Sequence, residues 1–224
     1  MKRLILSLRA LVFYAGYILL TVWFGFSGMI FFSWQPYNIR RTYILLWNRC
    51  TIGWLRLICG VRYKVIGMDN IPPGTFVVLS KHNSQWETFY LQLLFQPLTT
   101  IMKRELLNIP AFGWGLRLIK PIAIDRGNPR DAMRQMLVLG TARIKEGISV
   151  LVFPEGTRSP RTGDKPKYAR GGAALGIRAG VPLVPVAHNA GDHWPPHQLI
   201  KNPGLITVSI GQPLESSNGN AHEL

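Results

Sequence analysis

The sequence predicts an α/β protein with a mixed, mostly parallel sheet that is flanked by helices and preceded by a two-helix membrane-inserting motif. Three observations support this fold class. The first 60 residues are apolar and basic, short β-branched runs alternate with helical patterns after residue 60, and two of those runs end in polar segments, 80–87 and 153–159. We therefore expect membrane-anchoring helices at 1–60, an α/β domain at 61–214 and a flexible polar tail at 215–224.

The N-terminal segment is the first predicted element. No charged residue occurs from Ala10 to Ile39, and the apolar run 11–34 is long enough to cross a bilayer core of about 30 Å. Basic residues flank this run on both sides, so the positive-inside rule selects no orientation for a single span. We expect a re-entrant pair on the cytosolic face, with an interfacial second helix at 42–59. A cleaved signal peptide is the alternative, but no Ala-x-Ala site follows the run.

The net charge of +15 is unevenly distributed, since nine lysines and arginines precede the first acidic residue, Asp69. Such an excess is typical of proteins that bind nucleic acid or an anionic membrane surface. The apolar segment and the lack of a zinc-finger or RNA-binding motif favour the membrane and predict no nucleic-acid partner. Cys50 and Cys59 form no CxxC pair, so the sequence indicates no disulfide framework.

The remaining elements follow an alternating order. We predict strands at 61–66, 75–79, 99–102, 121–124, 149–153, 183–187 and 205–210, and helices at 85–94, 129–146 and 171–179. The longest of these helices has Asn128 as a suitable N-cap, Pro129 at its first position and Gly147 after its end. Residues 106–119 contain Pro110 and two glycines, which predict a broken helix whose backbone comes close to another group.

The first polar segment contains a histidine and an acid five residues apart. On a continuous helix, His82 and Glu87 would point about 140° from each other, so they meet only if the helix begins between them. Ser84 supplies such a start, because residues 84–87 match a capping box. Two interpretations remain open at this point: Glu87 orients a basic imidazole, or Glu87 is only the reciprocal cap beside a polar loop histidine.

The second polar segment has the composition of an anion site. Arg158 offers a planar fork for a phosphate, Glu155 can hold that guanidinium or a substrate hydroxyl, and Gly156 allows backbone N–H groups to approach an anion. We include Thr157 in the same site. The alternative is a surface turn with a solvated arginine.

Together, the two segments resemble the lysophosphatidic acid acyltransferases of the glycerolipid acyltransferase superfamily. Four blocks match in the family's order, and the resemblance extends from the membrane segment to about Pro213: His82 with Glu87, 124–126, 153–159 and 181–186. Glu87 departs from the family pattern, in which the acid is usually an aspartate. Either carboxylate can orient an imidazole.

The resemblance implies a 1-acylglycerol-3-phosphate O-acyltransferase that moves a fatty acyl group from acyl-CoA or acyl carrier protein to the sn-2 hydroxyl of lysophosphatidic acid. It implies His82 as general base oriented by Glu87, and neither cofactor nor metal. Both cysteines lie in the predicted anchor and the sequence has no Gly-x-Ser-x-Gly elbow, so we expect direct attack without an acyl-enzyme. Lys103 is a candidate for either the oxyanion or the phosphate, and the alternative is a solvated lysine without a role in the site. The implied phosphate-binding residues are Arg158, Glu155, Gly156, Thr157, Lys103 and Arg126.

Several alternatives stay open. The segment with His188, His193 and His197 contains two prolines, so we expect a loop and no metal site there. Phe112 and Trp114 fit either an acyl tunnel or ordinary core packing. Other candidate functions are an acyltransferase for another lyso-lipid, a non-catalytic binder of anionic lipid and a lipid hydrolase. Acyl-chain preference, thioester carrier and oligomeric state are not predicted.

Overall fold

A computed structural model describes residues 2–158 and 168–216. The strands are β1 Val61–Ile66, β2 Val77–Ser80, β3 Leu98–Lys103, β4 Ile122–Ile124, β5 Ser149–Val152, β6 Leu183–His188 and β7 Gly204–Ile210. The α-helices are α1 Lys2–Ser27, α2 Tyr37–Cys59, α3 Trp86–Leu94, α4 Phe112–Arg117, α5 Pro129–Lys145, α6 Gly171–Ala179 and α7 Ala190–His193.

The strands of the described residues form one seven-stranded sheet in the order β1-β7-β6-β2-β5-β3-β4. The five strands from β6 to β4 pair in parallel, whereas β7 is antiparallel to β6 and parallel to β1. This confirms the predicted α/β class with a mixed, mostly parallel sheet. Because the carboxyl ends of parallel strands meet at one edge, the loops after β2, β5, β3, β4 and β6 share that edge.

Helices cover both faces of the sheet, which explains why all four residues of β5 are buried. On one face, Met136 of α5 and Leu175 of α6 belong to the same apolar cluster as Val77 and Val150 of the sheet. On the other face, α1, α2 and α3 contribute to a larger cluster that also contains strand residues. The sheet is therefore the middle layer of three.

The N-terminal helices form an antiparallel pair. The indole of Trp54 in α2 donates to the Phe13 carbonyl of α1 at 3.2 Å, and the rings of Phe24 and Tyr43 lie 4.9 Å apart near the other end. The continuous helical segment Arg3–Phe32 is long and apolar enough to cross a membrane. Its outer face is exposed, with Leu19 70% and Trp23 68% accessible, so the pair presents a large apolar surface.

Some predicted boundaries differ from the structure. The second helix begins at Tyr37 rather than at residue 42, because Pro36 holds extended backbone directly before it. The predicted broken helix is confirmed as a 3₁₀ turn, Arg104–Asn108, followed by α4. A Cβ added to Gly113 would lie 2.3 Å from the Leu107 carbonyl oxygen, which is the close backbone approach that the glycines predicted.

The carboxyl-terminal end of the described chain packs on the domain. The Ser216 hydroxyl is buried and donates to the Val181 carbonyl at 2.8 Å. Residues 217–224 of the predicted tail lie outside the described residues. The division of the chain at residues 60 and 214 stays a prediction.

Candidate active site

The histidine and the acid of the first polar segment form a direct pair. His82 Nδ1 and Glu87 Oε1 lie 2.8 Å apart, and their side chains are 15% and 0% exposed. Because a carboxylate only accepts hydrogen bonds, Nδ1 carries the proton of this bond. The pair therefore fixes one tautomer of the imidazole, with the lone pair on Nε2.

The local backbone explains how two residues five apart meet. Helix α3 begins at Trp86, and the Ser84 hydroxyl accepts from the Trp86 N–H at 3.1 Å. Glu87 Oε1 also accepts the backbone N–H groups of Asn83 and Ser84 at 3.2 and 3.0 Å. The same oxygen thus contacts both the turn before the helix and the imidazole, so Glu87 is more than a reciprocal cap.

A second contact fixes the plane of the imidazole. The Phe153 ring stacks on His82 with centroids 4.0 Å apart and an interplanar angle of 20°. Phe153 directly follows β5, whereas the sequence predicted it only as the last residue of a strand. Neighbouring parallel strands β2 and β5 bring the two rings together, and no local pattern could have indicated this stack.

A buried histidine supports the loop that carries His82. His188, at the end of β6, is 7% exposed, and its Nε2 donates to the Lys81 carbonyl at 2.9 Å. Its Nδ1 accepts the Ala190 N–H at 3.3 Å, so this imidazole is neutral and protonated on Nε2. Burial lowers the pKa of His188 below its usual 6.5, and the nearby Glu87 carboxylate opposes this effect.

The expectation of a single loop for the three histidines is wrong for two of them, because His188 ends β6 and His193 ends α7. His193 Nδ1 contacts the Asn202 carbonyl at 3.1 Å, and His197 is exposed in a left-handed backbone conformation. Among the described residues, no group of three or more histidine, cysteine, aspartate or glutamate side chains is arranged to hold a metal ion. His188 is thus a structural support of the first polar segment, a role that the sequence did not indicate.

The second polar segment, which follows β5, contacts the first polar segment directly. The Nε of Arg158 donates to the Ser84 carbonyl at 2.9 Å, which joins the guanidinium to the turn between His82 and Glu87. The Gly156 N–H donates to the Phe153 carbonyl at 3.0 Å, so this N–H is engaged within the loop. Glu155 is half-buried and Thr157 is exposed, whereas Ser159 lies outside the described residues.

The two remaining predicted residues lie at the same edge of the sheet. Arg126 follows β4 and donates from Nη1 to the Gly156 carbonyl, so it connects the end of β4 to the second polar segment. Lys103 is the exposed last residue of β3, two strands from β2. The fold therefore gathers the loops of all eight predicted site residues along one edge.

A pocket of about 270 Å³ opens beside Arg158. Tyr14 of α1, Gln85 and the loop 194–199 form its other walls, and the sequence indicated none of these. The Ser84 hydroxyl donates to the Trp194 carbonyl at 2.7 Å, so this loop is fastened to the same turn as Arg158.

The two aromatic residues of the predicted acyl tunnel have different surroundings. Phe112 lines a small apolar cavity between α1, α2 and α4, together with Phe24 and Trp47. Trp114 packs edge-on against Phe26 of α1, with centroids 4.9 Å apart. Only Phe112 therefore faces an internal apolar space.

Comparisons with known proteins concern the family of this chain. The family model described as Acyltransferase matches residues 62–189. The chain is 49% identical over 177 residues to a 1-acyl-sn-glycerol-3-phosphate acyltransferase of Pseudomonas aeruginosa, covering 79% of this chain and 68% of that protein. It is 29% identical over 200 residues to a Saccharomyces cerevisiae protein of the same name, covering 87% of this chain and 65% of that protein.

A solved structure supports the fold. The crystal structure of the 1-acyl-sn-glycerophosphate (LPA) acyltransferase from Thermotoga maritima is similar with a TM-score of 0.81 and 24% identity. The similarity covers 100% of this chain and 91% of that one. The matched family model spans more than half of the chain and includes both halves of the His82 and Arg158 site. The chain therefore belongs to the 1-acyl-sn-glycerol-3-phosphate acyltransferase family.

Proposed function

We propose that the protein transfers a fatty acyl group from an acyl thioester, on coenzyme A or acyl carrier protein, to the sn-2 hydroxyl of lysophosphatidic acid, which gives phosphatidic acid. One observation carries the proposal. The His82–Glu87 pair and the Arg158 guanidinium meet at a single turn, since Arg158 Nε bonds the Ser84 carbonyl and Glu87 Oε1 bonds the Ser84 N–H. A base and a phosphate ligand in one place suit a phosphorylated alcohol as acceptor.

In the proposed reaction, His82 Nε2 takes the proton of the acceptor hydroxyl as its oxygen attacks the thioester carbonyl carbon. The carbon–oxygen ester bond forms, the carbon–sulfur bond breaks, and the proton passes from His82 to the departing thiolate. Glu87 stabilises the imidazolium that forms between these steps, because it already bonds Nδ1. Lys103 is the proposed donor to the carbonyl oxyanion or to the phosphate.

We further propose that the α1–α2 pair inserts into the cytosolic face of a membrane, the inner membrane in a bacterium. The exposed apolar surface of α1 supports insertion, and the antiparallel pairing returns both ends to one side. The cations of this region, among them Arg40, Arg41 and Arg49, suit an anionic lipid surface.

The decisive assay crosses several lyso-acceptors with both thioester carriers, using purified protein and a labelled acyl chain. We expect phosphatidic acid as the main product, with kcat/KM for lysophosphatidic acid at least about tenfold above that for other lyso-lipids. Fatty acid released without acceptor as the main product would indicate a hydrolase, and a preferred different acceptor would indicate another lyso-lipid acyltransferase.

Cosedimentation of the same preparation with anionic vesicles tests the membrane proposal. Vesicle binding without any turnover would indicate a non-catalytic lipid binder. Protein that remains in the supernatant would contradict the insertion of the helix pair.

The support by His188 leads to a prediction about stability and pH. Its folded-state pKa lies below its usual value, so the unfolded state binds the proton more readily as the pH falls below 6.5. The stabilisation by neutral His188 is therefore complete above pH 6.5 and is lost as the pH falls through its folded pKa. We expect the free energy of unfolding to decline with falling pH less steeply in His188→Gln than in the wild type.

Denaturant unfolding from pH 7.5 to 5 measures this dependence. His188→Leu should lose about 1–3 kcal/mol at pH 7.5, because the Lys81 carbonyl and the Ala190 N–H lose their partner. His197→Gln is the matched control, since His197 is exposed, and should follow the wild-type curve. Identical pH slopes in the wild type and His188→Gln would refute a buried neutral His188.

A further inference from the structure

A lysine is buried behind the wall of the pocket beside Arg158. Lys201 is 1% exposed, and its Nζ donates to the carbonyls of Gln198 and Leu199, both at 2.7 Å. The ammonium also lies 4.7 Å from the ring centroid of Tyr14 and 5.5 Å from that of Trp194. All four of these residues line the pocket, so a single side chain fixes a large part of its wall.

The charge of Lys201 is stabilised by neutral groups. Among the described residues, no carboxylate lies within ion-pair distance of Lys201, and carbonyl oxygens and aromatic rings are its partners. Burial lowers the pKa of Lys201 to about 8, which leaves the ammonium form predominant at pH 7. A buried charge without a counter-ion costs stability, and here two carbonyl oxygens and two aromatic rings offset part of that cost.

The electrostatic consequence concerns the pocket. Arg158 lines one side, Lys201 lies behind another, and the described lining residues include no acid. Two cations near a partly enclosed space of low dielectric constant favour a multiply charged anion and repel a cation. A phosphate monoester carries between one and two negative charges at neutral pH, whereas a choline phosphodiester adds a positive group to one negative charge.

We propose that this pocket holds the phosphate head of the acceptor and that Lys201 makes it selective for a phosphate monoester over a zwitterionic head group. The inference rests on the proposed transfer to lysophosphatidic acid and adds the residue that sets the choice of acceptor. Lys201 is a positioning residue, because it acts through the backbone of Gln198 and Leu199 and through its field. Helix α1 therefore has two surfaces of interest: Tyr14 lines this pocket, and the opposite, outer surface is exposed and apolar.

The test compares lysophosphatidic acid with lysophosphatidylcholine of the same acyl chain. Lys201→Met keeps most of the length of the side chain but removes the charge and both hydrogen bonds. We expect the ratio of the two kcat/KM values to fall by about tenfold or more, through a higher KM for lysophosphatidic acid, with the KM for the thioester unchanged. A merely structural role would lower both acceptor values equally and leave the ratio unchanged.

A second variant avoids the buried position. Leu199 lines the pocket and is 50% exposed, so Leu199→Glu adds a carboxylate to the wall with little effect on folding. It should lower the same ratio by about tenfold or more, because it repels the phosphate. The matched control is Leu214→Glu, since Leu214 is 41% exposed and pairs with Leu183 at the opposite end of β6. The control should keep the wild-type ratio.

The outcomes separate this inference from the proposed function. A wild type that does not acylate lysophosphatidic acid defeats the proposed function. A wild type that prefers it, with an unchanged ratio in a folded Lys201→Met, overturns the role of Lys201 alone. If circular dichroism shows that Lys201→Met does not fold, the ratio in Leu199→Glu decides: a fall supports the head-group pocket, and an unchanged ratio overturns it.

Discussion

Replacing His82 with alanine is expected to lower kcat by about 10²–10⁴-fold, because the acceptor hydroxyl then loses its general base. KM for either substrate should change much less, since His82 is proposed to take the hydroxyl proton in the transition state rather than to bind the substrates. Vesicle binding should persist, because the exposed apolar surface of α1 does not include His82. The measurement is steady-state transfer of labelled acyl groups, with circular dichroism as a check on folding.

Two further variants make this expectation specific. Glu87→Gln should also lower kcat, since an amide cannot stabilise the imidazolium as a carboxylate does. The two side chains act as one unit, so the double variant should be no slower than His82→Ala alone. His193→Ala is the matched control, because the His193 imidazole contacts the Asn202 carbonyl and has no proposed role in the transfer. Turnover near the wild-type value in His82→Ala would rule out this mechanism.

Replacing Arg158 with methionine is expected to raise the KM for lysophosphatidic acid by about 10–150-fold. The estimate corresponds to one hydrogen bond to a charged group, about 1.5–3 kcal/mol. The KM for the thioester should stay close to the wild-type value. The KM of Arg158→Lys for lysophosphatidic acid should lie between those of the wild type and Arg158→Met. Lysine keeps the charge but has no Nε to bond the Ser84 carbonyl.

The kinetic comparison needs a cation that lies away from the site. Arg178 is exposed in the last turn of α6, which precedes the amino end of β6, and Arg178→Met should behave as wild type. Competition adds an independent readout: glycerol 3-phosphate should inhibit the wild type and affect Arg158→Met much less. An equal rise of both KM values, or none, would count against Arg158 as the phosphate ligand.

The helix α5 illustrates what local sequence can predict. Asn128 was expected as its N-cap, and the Asn128 side chain accepts the N–H groups of Arg130 and Asp131 at 3.0 and 3.4 Å. Pro129 occupies the first position of the helix. Capping and proline effects act within one turn, so a short window of sequence contains all the information that they need.

The pairing of His82 with Glu87 was predictable for a similar reason. The capping-box pattern required a helix start between the two residues, and the structure has that start one residue after Gln85. What the pattern could not resolve was whether capping or orienting the imidazole was the role of Glu87. In the structure, one oxygen of Glu87 contacts both the Ser84 N–H and the imidazole, which depends on atomic distances rather than on residue types.

The amino-acid sequence by itself determined the fold class, the apolar N-terminal segment, most strands and helices, and the two polar segments of the site. Periodicity, caps and motif spacing contain these features because each depends on neighbours a few residues away. Only the tertiary structure decided which distant groups complete the site: Phe153 against His82, His188 behind Lys81, and Trp194 on Ser84, 110 residues away. Such contacts follow from strand order and from the packing of the helix and sheet layers. Neither produces a local sequence pattern from which the contacts could be predicted.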